Sequence, residues 1–214
     1  MLIRERMTRN PLTIRPDTPV QEAITRMRKA HVRRFPVVNS SGKIVGIVSE
    51  RDLLYASPSP ATSLSIHEIH YILSKLKVEE VMKKNVITVD EDTPVEDAAR
   101  IMADRKIGGL PVVREGVPVG IITETDLFKL FLELLGARTQ AVRVTLLVQD
   151  VKGALAKLTS AISNRGGNII SLGTFLGDDP STRTITLRIA DIGKDDLVET
   201  LTPLVMKVLD AREV

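Results

Sequence analysis

Gly46-Ile47-Val48-Ser49-Glu50-Arg51-Asp52 returns 74 residues later as Gly120-Ile121-Ile122-Thr123-Glu124-Thr125-Asp126, and the reading of the fold starts from that repetition. Each copy runs glycine, two apolar residues, a hydroxyl, two variable residues and an aspartate. The apolar pair reads as the end of a buried strand, the hydroxyl as a helix N-cap, and the aspartate as part of the helix's first turn. Open backbone N–H groups favour an anion there, a hydroxyl beside them suits a phosphate, and an acceptor-only carboxylate suits the two hydroxyls of a ribose. A single copy would be an ordinary helix cap. Two copies in matched surroundings point to a nucleotide site.

Working outward, Thr18-Pro19 matches Thr93-Pro94 and Pro36-Val37-Val38 matches Pro111-Val112-Val113, both at an offset of 75 residues. The turn Arg114-Glu115-Gly116 is one residue shorter than its counterpart in Asn39 to Lys43, which brings the offset to 74 at the motif. One turn-length change among many matches indicates a duplicated β-α-β-β-α unit, two copies packing as one pseudo-symmetric domain. The Thr-Pro pair predicts a helix with the hydroxyl at the cap and the proline in the first turn. Ala23, Ile24 and Met27 then share one face and are candidate core. Tyr55 to Ser65, rich in Ser, Pro and Ala, reads as a linker. Ile66, Ile69, Leu73 and Leu76 follow at helical spacing. His67 and His70 lack a third ligand, and Glu68 does not complete a zinc-protease spacing, so no metal is expected.

The chain has 214 residues with 43% hydrophobic content, enough for buried cores. No apolar run reaches the roughly 18 residues of a membrane span, and Met1 to Arg6 lacks the apolar core of a signal peptide, so a cytoplasmic protein with no membrane partner is expected. Zero cysteines exclude disulfides, thiolate metal sites and a cysteine nucleophile. With no Trp and 3% aromatics, a stacking platform for single-stranded nucleic acid is not expected, and no helix-turn-helix or zinc finger is visible. The net charge of +3 is uneven: residues 1–57 carry +6, residues 58–140 carry −3, and residues 141–214 carry none. The positive first segment suits a small polyanion better than nucleic acid.

The two seven-residue motifs, the Thr-Pro helix starts and the Pro-Val-Val strands together resemble tandem CBS domains, the Bateman module, over nearly all of residues 1 to 135. The resemblance implies binding of an adenosyl ligand (AMP, ADP, ATP or S-adenosylmethionine) in clefts between the repeats, with occupancy passed to a partner domain. It places Ser49 and Thr123 on phosphate and Asp52 and Asp126 on ribose. It places adenine near the first strand, at Thr13 and Ile14 in copy one and at Thr88 and Val89 in copy two. The basic position on the phosphates is Arg33, followed by Arg34, where copy two has Gly108-Gly109. Arginine offers a fixed fork of donors and glycine only backbone, so the site of Asp52 and Arg33 is expected to hold phosphate more strongly.

After Gly136, a C-cap signal, the pattern changes. Val142 to Val148 alternates as a strand, Gly153 opens the amphipathic run Ala154, Leu155, Leu158, Ile162, and a strand is expected from Asn168 to Phe175. Thr184 to Ile189 alternates again, and a helix from about Lys194 to Met206 with a short last strand completes β-α-β-β-α-β, a ferredoxin-like sandwich. The motif Asp150-Val151-Lys152-Gly153-Ala154-Leu155, with Asn164-Arg165-Gly166-Gly167-Asn168-Ile169 after the helix, resembles an ACT domain. That resemblance implies side-by-side pairing and an amino-acid pocket at Asp150 and Gly153, with Asn168 and Ile169 of a neighbouring copy. Lys152 stands where the family often has proline, and an ACT unit that only dimerises is the alternative.

The expected class is therefore α+β: a CBS pair (repeat one 1–57, linker and helix 58–77, repeat two 78–136) and an ACT domain over 142–214. The order of domains resembles acetoin-utilisation AcuB-type proteins, which implies a regulatory role in carbon metabolism. The leading reading is a homodimeric sensor without catalytic residues or a catalytic cofactor, acting on a regulated protein that the sequence does not identify. Ligand occupancy would favour one arrangement of the repeats, and the helix ending at Leu135 would pass it on. The alternatives are a nucleotide-hydrolysing enzyme, which needs a metal-carboxylate cluster or poised base, and a structural dimerisation subunit of a larger complex.

Overall fold

A computed structural model describes residues 1–56 and 65–214, so most of the expected linker, residues 57–64, lies outside the described residues. Two compact units emerge, residues 1–127 and residues 128–214. The fold is mixed α and β, with a duplicated unit followed by a four-stranded antiparallel sheet and two helices.

In the first unit, repeat one contains β1 (Thr8–Arg9), α1 (Val20–Ala30), β2 (Arg34–Val38), β3 (Ile44–Ser49) and α2 (Glu50–Tyr55). Then come α3 (Ile66–Lys75) and α4 (Val78–Val81), and repeat two contains α5 (Val95–Arg105), β4 (Gly109–Arg114), β5 (Val117–Thr123) and the start of α6 (Glu124–Leu134), which runs on past residue 127. The β2–β3 and β4–β5 hairpins are antiparallel and carry matching irregularities, between Val37 and Val38 and between Val112 and Val113. Val20, Ala23, Ile24 and Met27 on the apolar face of α1 pack with Phe35, Val37, Val48 and Leu53 in one core. The helical spacing of Ile66, Ile69, Leu73 and Leu76 does form a helix over Ile66–Lys75. Of these four side chains, only Leu76 is described, packed partly buried against that core. His70 belongs to the same undescribed group of side chains.

The Thr-Pro starts differ from expectation by one residue. Pro19 and Pro94 are themselves the N-caps, in extended conformation and without a side-chain cap bond. Thr18 is buried, and its hydroxyl accepts from Arg15 N at 3.3 Å. The hydroxyl ties down the approach to the helix and leaves the helix end itself uncapped.

Sequence periodicity does not reveal how the repeats are joined. Each repeat sends its leading segment into the other. Ile3 N donates to Thr93 O (3.0 Å) and Val78 N to Thr18 O (2.9 Å), while Arg4 N donates to Glu91 O and Glu79 N to Pro16 O. β1 pairs with β5 of the other repeat, Thr8 opposite Ile121 and Arg9 opposite Gly120, and Lys83 bridges back to Ile47. Ile3 and Val78, equivalent in the two copies, are both fully buried. The exchange explains the glycine of the repeated motif: a Cβ on Gly120 would fall on Met7 Sδ, and one on Gly46 would fall on Met82 Sδ.

In the second unit β6 (Val142–Gln149), α7 (Ala154–Asn164), β7 (Asn168–Leu176), β8 (Thr182–Ala190), α8 (Lys194–Leu201) and β9 (Lys207–Glu213) form a sheet of order β7-β8-β6-β9. This is the ferredoxin-like topology. Alternate residues of β6 (Val142, Val144, Leu146, Val148) and of β8 (Ile185, Leu187, Ile189) meet Leu158, Ile162, Leu197 and Leu201 of the helices in the core. The last helix stops earlier than expected, at Leu201, and Thr202–Leu204 tightens into a 3-10 turn whose Pro203 cannot continue the α-helical ladder.

Because the methionine occupies the volume of a Cβ, Gly120→Ala is expected to lower unfolding free energy by about 1–3 kcal/mol. In a Met7→Ala background the same change should cost much less. A double-mutant cycle by urea denaturation measures the coupling, and strictly additive losses would show that the methionine is not the constraint.

Candidate functional site

The repeated motif builds the same device twice. Ser49 ends β3 and caps α2, its hydroxyl accepting from Asp52 N at 3.3 Å, while Asp52 Oδ2 accepts from Ser49 N (2.9 Å) and Ser49 Oγ (2.6 Å). At the start of α6, Asp126 Oδ2 accepts from Thr123 N (2.9 Å) and Thr123 Oγ1 (2.7 Å), and Thr123 Oγ1 accepts from Asp126 N at 3.4 Å. The geometry is that of a capping box with the carboxylate in the glutamate position. Both bonds use Oδ2, and Oδ1 takes no part in either box.

Each box opens onto a cleft. Cleft one, about 740 Å³, contains Ser49 and Asp52; cleft two, about 530 Å³, contains Thr123 and Asp126. Both volumes fall within the range of roughly 300–1,000 Å³ usual for small-molecule sites. The exchanged segments supply the opposite walls: Asn85, Val86 and Ile87 of repeat two line cleft one, and Asn10, Pro11 and Leu12 of repeat one line cleft two.

The positions expected to lie near adenine fall outside both clefts. Thr13, Ile14, Thr88 and Val89 line neither cleft. Ile14 and Val89 are 2% and 7% exposed and bridge in parallel to Val37 and Val112, which commits both to the cores. The residues that reach a cleft lie two to four positions earlier, and they reach the cleft of the other repeat. Repeat register alone assigns each segment to its own copy, so this exchange was not legible.

Arg33 and Arg34 line both clefts. Arg34, at the start of β2, lays its guanidinium on the backbone of Gly108-Gly109. A Cβ on Gly108 would stand 2.7 Å from Arg34 Nη2 and 2.9 Å from Glu124 Oε2, and one on Gly109 would overlap Arg34 Nη1. The two glycines are the space that Arg34 of the other repeat occupies. Burial holds the Arg34 guanidinium below its usual range; Glu124 and Asp52 oppose that shift, and Arg33 adds to it. Residues missed at the sequence level are Arg51, Lys83 and Lys106 in cleft one, and Glu124, shared by both. Lys106 and its repeat equivalent His31, in cleft two, are left-handed C-caps of α5 and α1 at φ 52° and 53°. That conformation ends each helix at a cleft.

In the second unit a cleft of about 540 Å³ gathers Asp150, Gly153, Leu155, Thr174 and Arg183. Gly153 caps α7 at φ 84°, and Arg183 Nε donates to Asp150 Oδ2 at 2.9 Å. Asn168 and Ile169 are not in this cleft. They pair with Ala190 and Ile189 at the other end of the sheet, whereas Asp150 follows the end where Gln149 faces Thr182. Among the described residues no group of three His, Cys, Asp or Glu side chains could hold a metal ion, and no helix is long and apolar enough to cross a membrane.

The CBS-domain family model matches residues 3–59 and 78–133, and the TTHA0829-like ACT domain model matches residues 141–212. A CBS domain-containing protein of Dictyostelium discoideum is 32% identical over 136 residues, 63% of this chain and 94% of that protein. Among solved structures, a Vibrio cholerae protein assigned to acetoin utilization (AcuB) aligns with a TM-score of 0.53 at 32% identity, over 64% of this chain and 95% of its own. The CBS domain pair of protein MJ0100, in complex with 5′-methylthioadenosine and S-adenosyl-L-methionine, aligns at 0.52 and 30% identity over 65% and 98%. CBSX2 in complex with AMP aligns at 0.50 and 29% identity over 61% and 96%.

Ser49→Ala removes one cap and is expected to lower stability by about 1 kcal/mol, a fall of roughly 2–4 °C in Tm for a chain of this size. Calorimetry without ligand checks this; an unchanged Tm would show that the box contributes nothing to the fold.

Proposed function

This chain belongs to the CBS-domain family and carries a TTHA0829-like ACT domain, and from that premise we propose that it is a regulatory sensor whose CBS pair binds an adenosyl ligand. The observation that carries the reading is the pair of hydroxyl-carboxylate boxes, each opening onto a nucleotide-sized cleft. Relatives of the same fold were solved with AMP and with 5′-methylthioadenosine and S-adenosyl-L-methionine, which supports an adenosine moiety as the shared feature. In this reading Asp52 and Asp126 accept from ribose hydroxyls through the oxygen outside the box, and Ser49, Thr123, Arg33 and Arg34 face the 5′ substituent. Val86, Ile87, Pro11 and Leu12 offer the apolar walls for adenine in place of Thr13, Ile14, Thr88 and Val89.

The chain acts by binding rather than turnover. A ligand that prefers one arrangement of the two repeats shifts their population, and the interlocked segments make that arrangement a property of both repeats at once. The ACT domain pairs with a second copy to make a homodimer, with Asp150, Gly153, Asn168 and Ile169 at an amino-acid pocket between copies. Likeness to the AcuB protein supports a regulatory role in carbon metabolism of the acetoin-utilisation kind, exerted on another protein.

Thermal unfolding with AMP, ADP, ATP, 5′-methylthioadenosine and S-adenosylmethionine tests the ligand class. At about a hundred times its dissociation constant a ligand should add roughly 2.7 kcal/mol, a shift of several degrees, and Asp52→Ala with Asp126→Ala should abolish it. No shift with any of them, or phosphate release from ATP that is lost in Asp52→Asn, would overturn the sensor reading. Sedimentation equilibrium should give twice the 23.5 kDa chain mass; a monomer at all concentrations would remove the ACT pairing.

A further inference from the structure

The duplication copies the shape of the cleft twice but its cations only once. Arg51, Lys83 and Lys106 line cleft one, and at the equivalent positions cleft two has Thr125, Thr8 and His31, none of them charged by the formal count at pH 7. Gly108 and Gly109 stand where repeat one has Arg33 and Arg34. The acids, in contrast, are kept: Asp52 and Glu50 in cleft one, Asp126 and Glu124 in cleft two. Five lysine and arginine side chains therefore face three carboxylates in cleft one, whereas cleft two has two carboxylates and only the arginines it shares with cleft one. Of those shared arginines, Arg34 lies on the Gly108-Gly109 backbone beside Glu124.

We infer that the two clefts take different ligands: cleft one an adenosine phosphate, and cleft two an adenosyl compound whose 5′ substituent is neutral or cationic, of the 5′-thioadenosyl class. The inference rests on the adenosyl reading above and assigns its selectivity to charge. A 5′-phosphate in cleft one meets guanidinium and ammonium donors, which make strong charge-assisted bonds. In cleft two the same group meets Glu124, close to the ribose-binding Asp126, with only the two arginines shared with cleft one to offset these carboxylates; like charges brought together oppose binding. A thioether avoids that repulsion, and a sulfonium turns the two carboxylates into favourable partners. Thr125 and Thr8, which replace the Arg51 and Lys83 of cleft one, are thus the specificity-determining positions of cleft two. Thr8, Glu124 and Thr125 are all exposed, so their substitution leaves the cores alone.

The test is calorimetric titration of the full chain with ATP and with 5′-methylthioadenosine, separately and in sequence. The expected result is one ATP and one thioadenosyl ligand per chain, each binding in the presence of the other. ATP affinity should fall at least tenfold in Asp52→Ala and not in Asp126→Ala, with the reverse for the thioadenosyl ligand. The gain-of-charge variant Thr8→Lys/Thr125→Arg, which does not disturb either capping box, should bind a second equivalent of ATP. Competition of the two ligands for one cleft, two equal ATP sites in the unaltered chain, or no second site in the variant would each overturn the partition while leaving adenosyl binding intact. Absence of heat and of thermal shift with both ligands would overturn the adenosyl reading and the partition together.

Discussion

Met7 and Met82 occupy the space that a Cβ on Gly120 and on Gly46 would take, and the first unit depends on that exclusion. Met7 packs on Gly120 and Met82 on Gly46, each reaching from the leading segment of one repeat to the strand of the other. The contact lets the segment approach closely enough for β1 to pair with β5 and for Lys83 to bridge to Ile47. Neither repeat is complete alone: Val78 fills the core of repeat one, and Ile3 is buried where its neighbours bond to repeat two. Burial of such apolar side chains contributes about 1.5–3 kcal/mol each, which makes the exchange part of the folding free energy.

The clefts follow from the same exchange. A motif that ends a strand and caps a helix provides one wall, and the crossing segment provides the other, so each cleft draws residues from both repeats. Arg34 adds a third connection, since its guanidinium fills the space left by Gly108-Gly109 and lies beside Glu124. The two clefts therefore share Arg33, Arg34, Gly108 and Glu124 in their linings.

Much of this was legible because it is local. The box of Ser49 with Asp52, the alternation of Val142 to Val148 and the helix opening after Gly153 each depend on residues within a few positions of one another, and the repeat is read by matching such local motifs. That Ile14 and Val89 close the cores was not legible, because an apolar residue near a motif reads the same whether it lines a cleft or closes a core. Asp150 shows the same limit: its motif was visible, but its bond to Arg183 joins residues 33 positions apart.

The sequence by itself determined the duplication, the two capping boxes, the ferredoxin-like order of elements and the surplus of positive charge in residues 1–57, since these rest on periodicity, capping chemistry and counting. Only the tertiary structure decided which repeat's leading segment meets which motif, why Gly108-Gly109 answers Arg34, and where Lys83 and Lys106 add their charge. Those facts are contacts between residues far apart in the chain, such as Met7 with Gly120, Lys83 with Ile47 and Arg34 with Gly109. Side-chain volume and backbone hydrogen bonding select them, and neither leaves a local pattern to read.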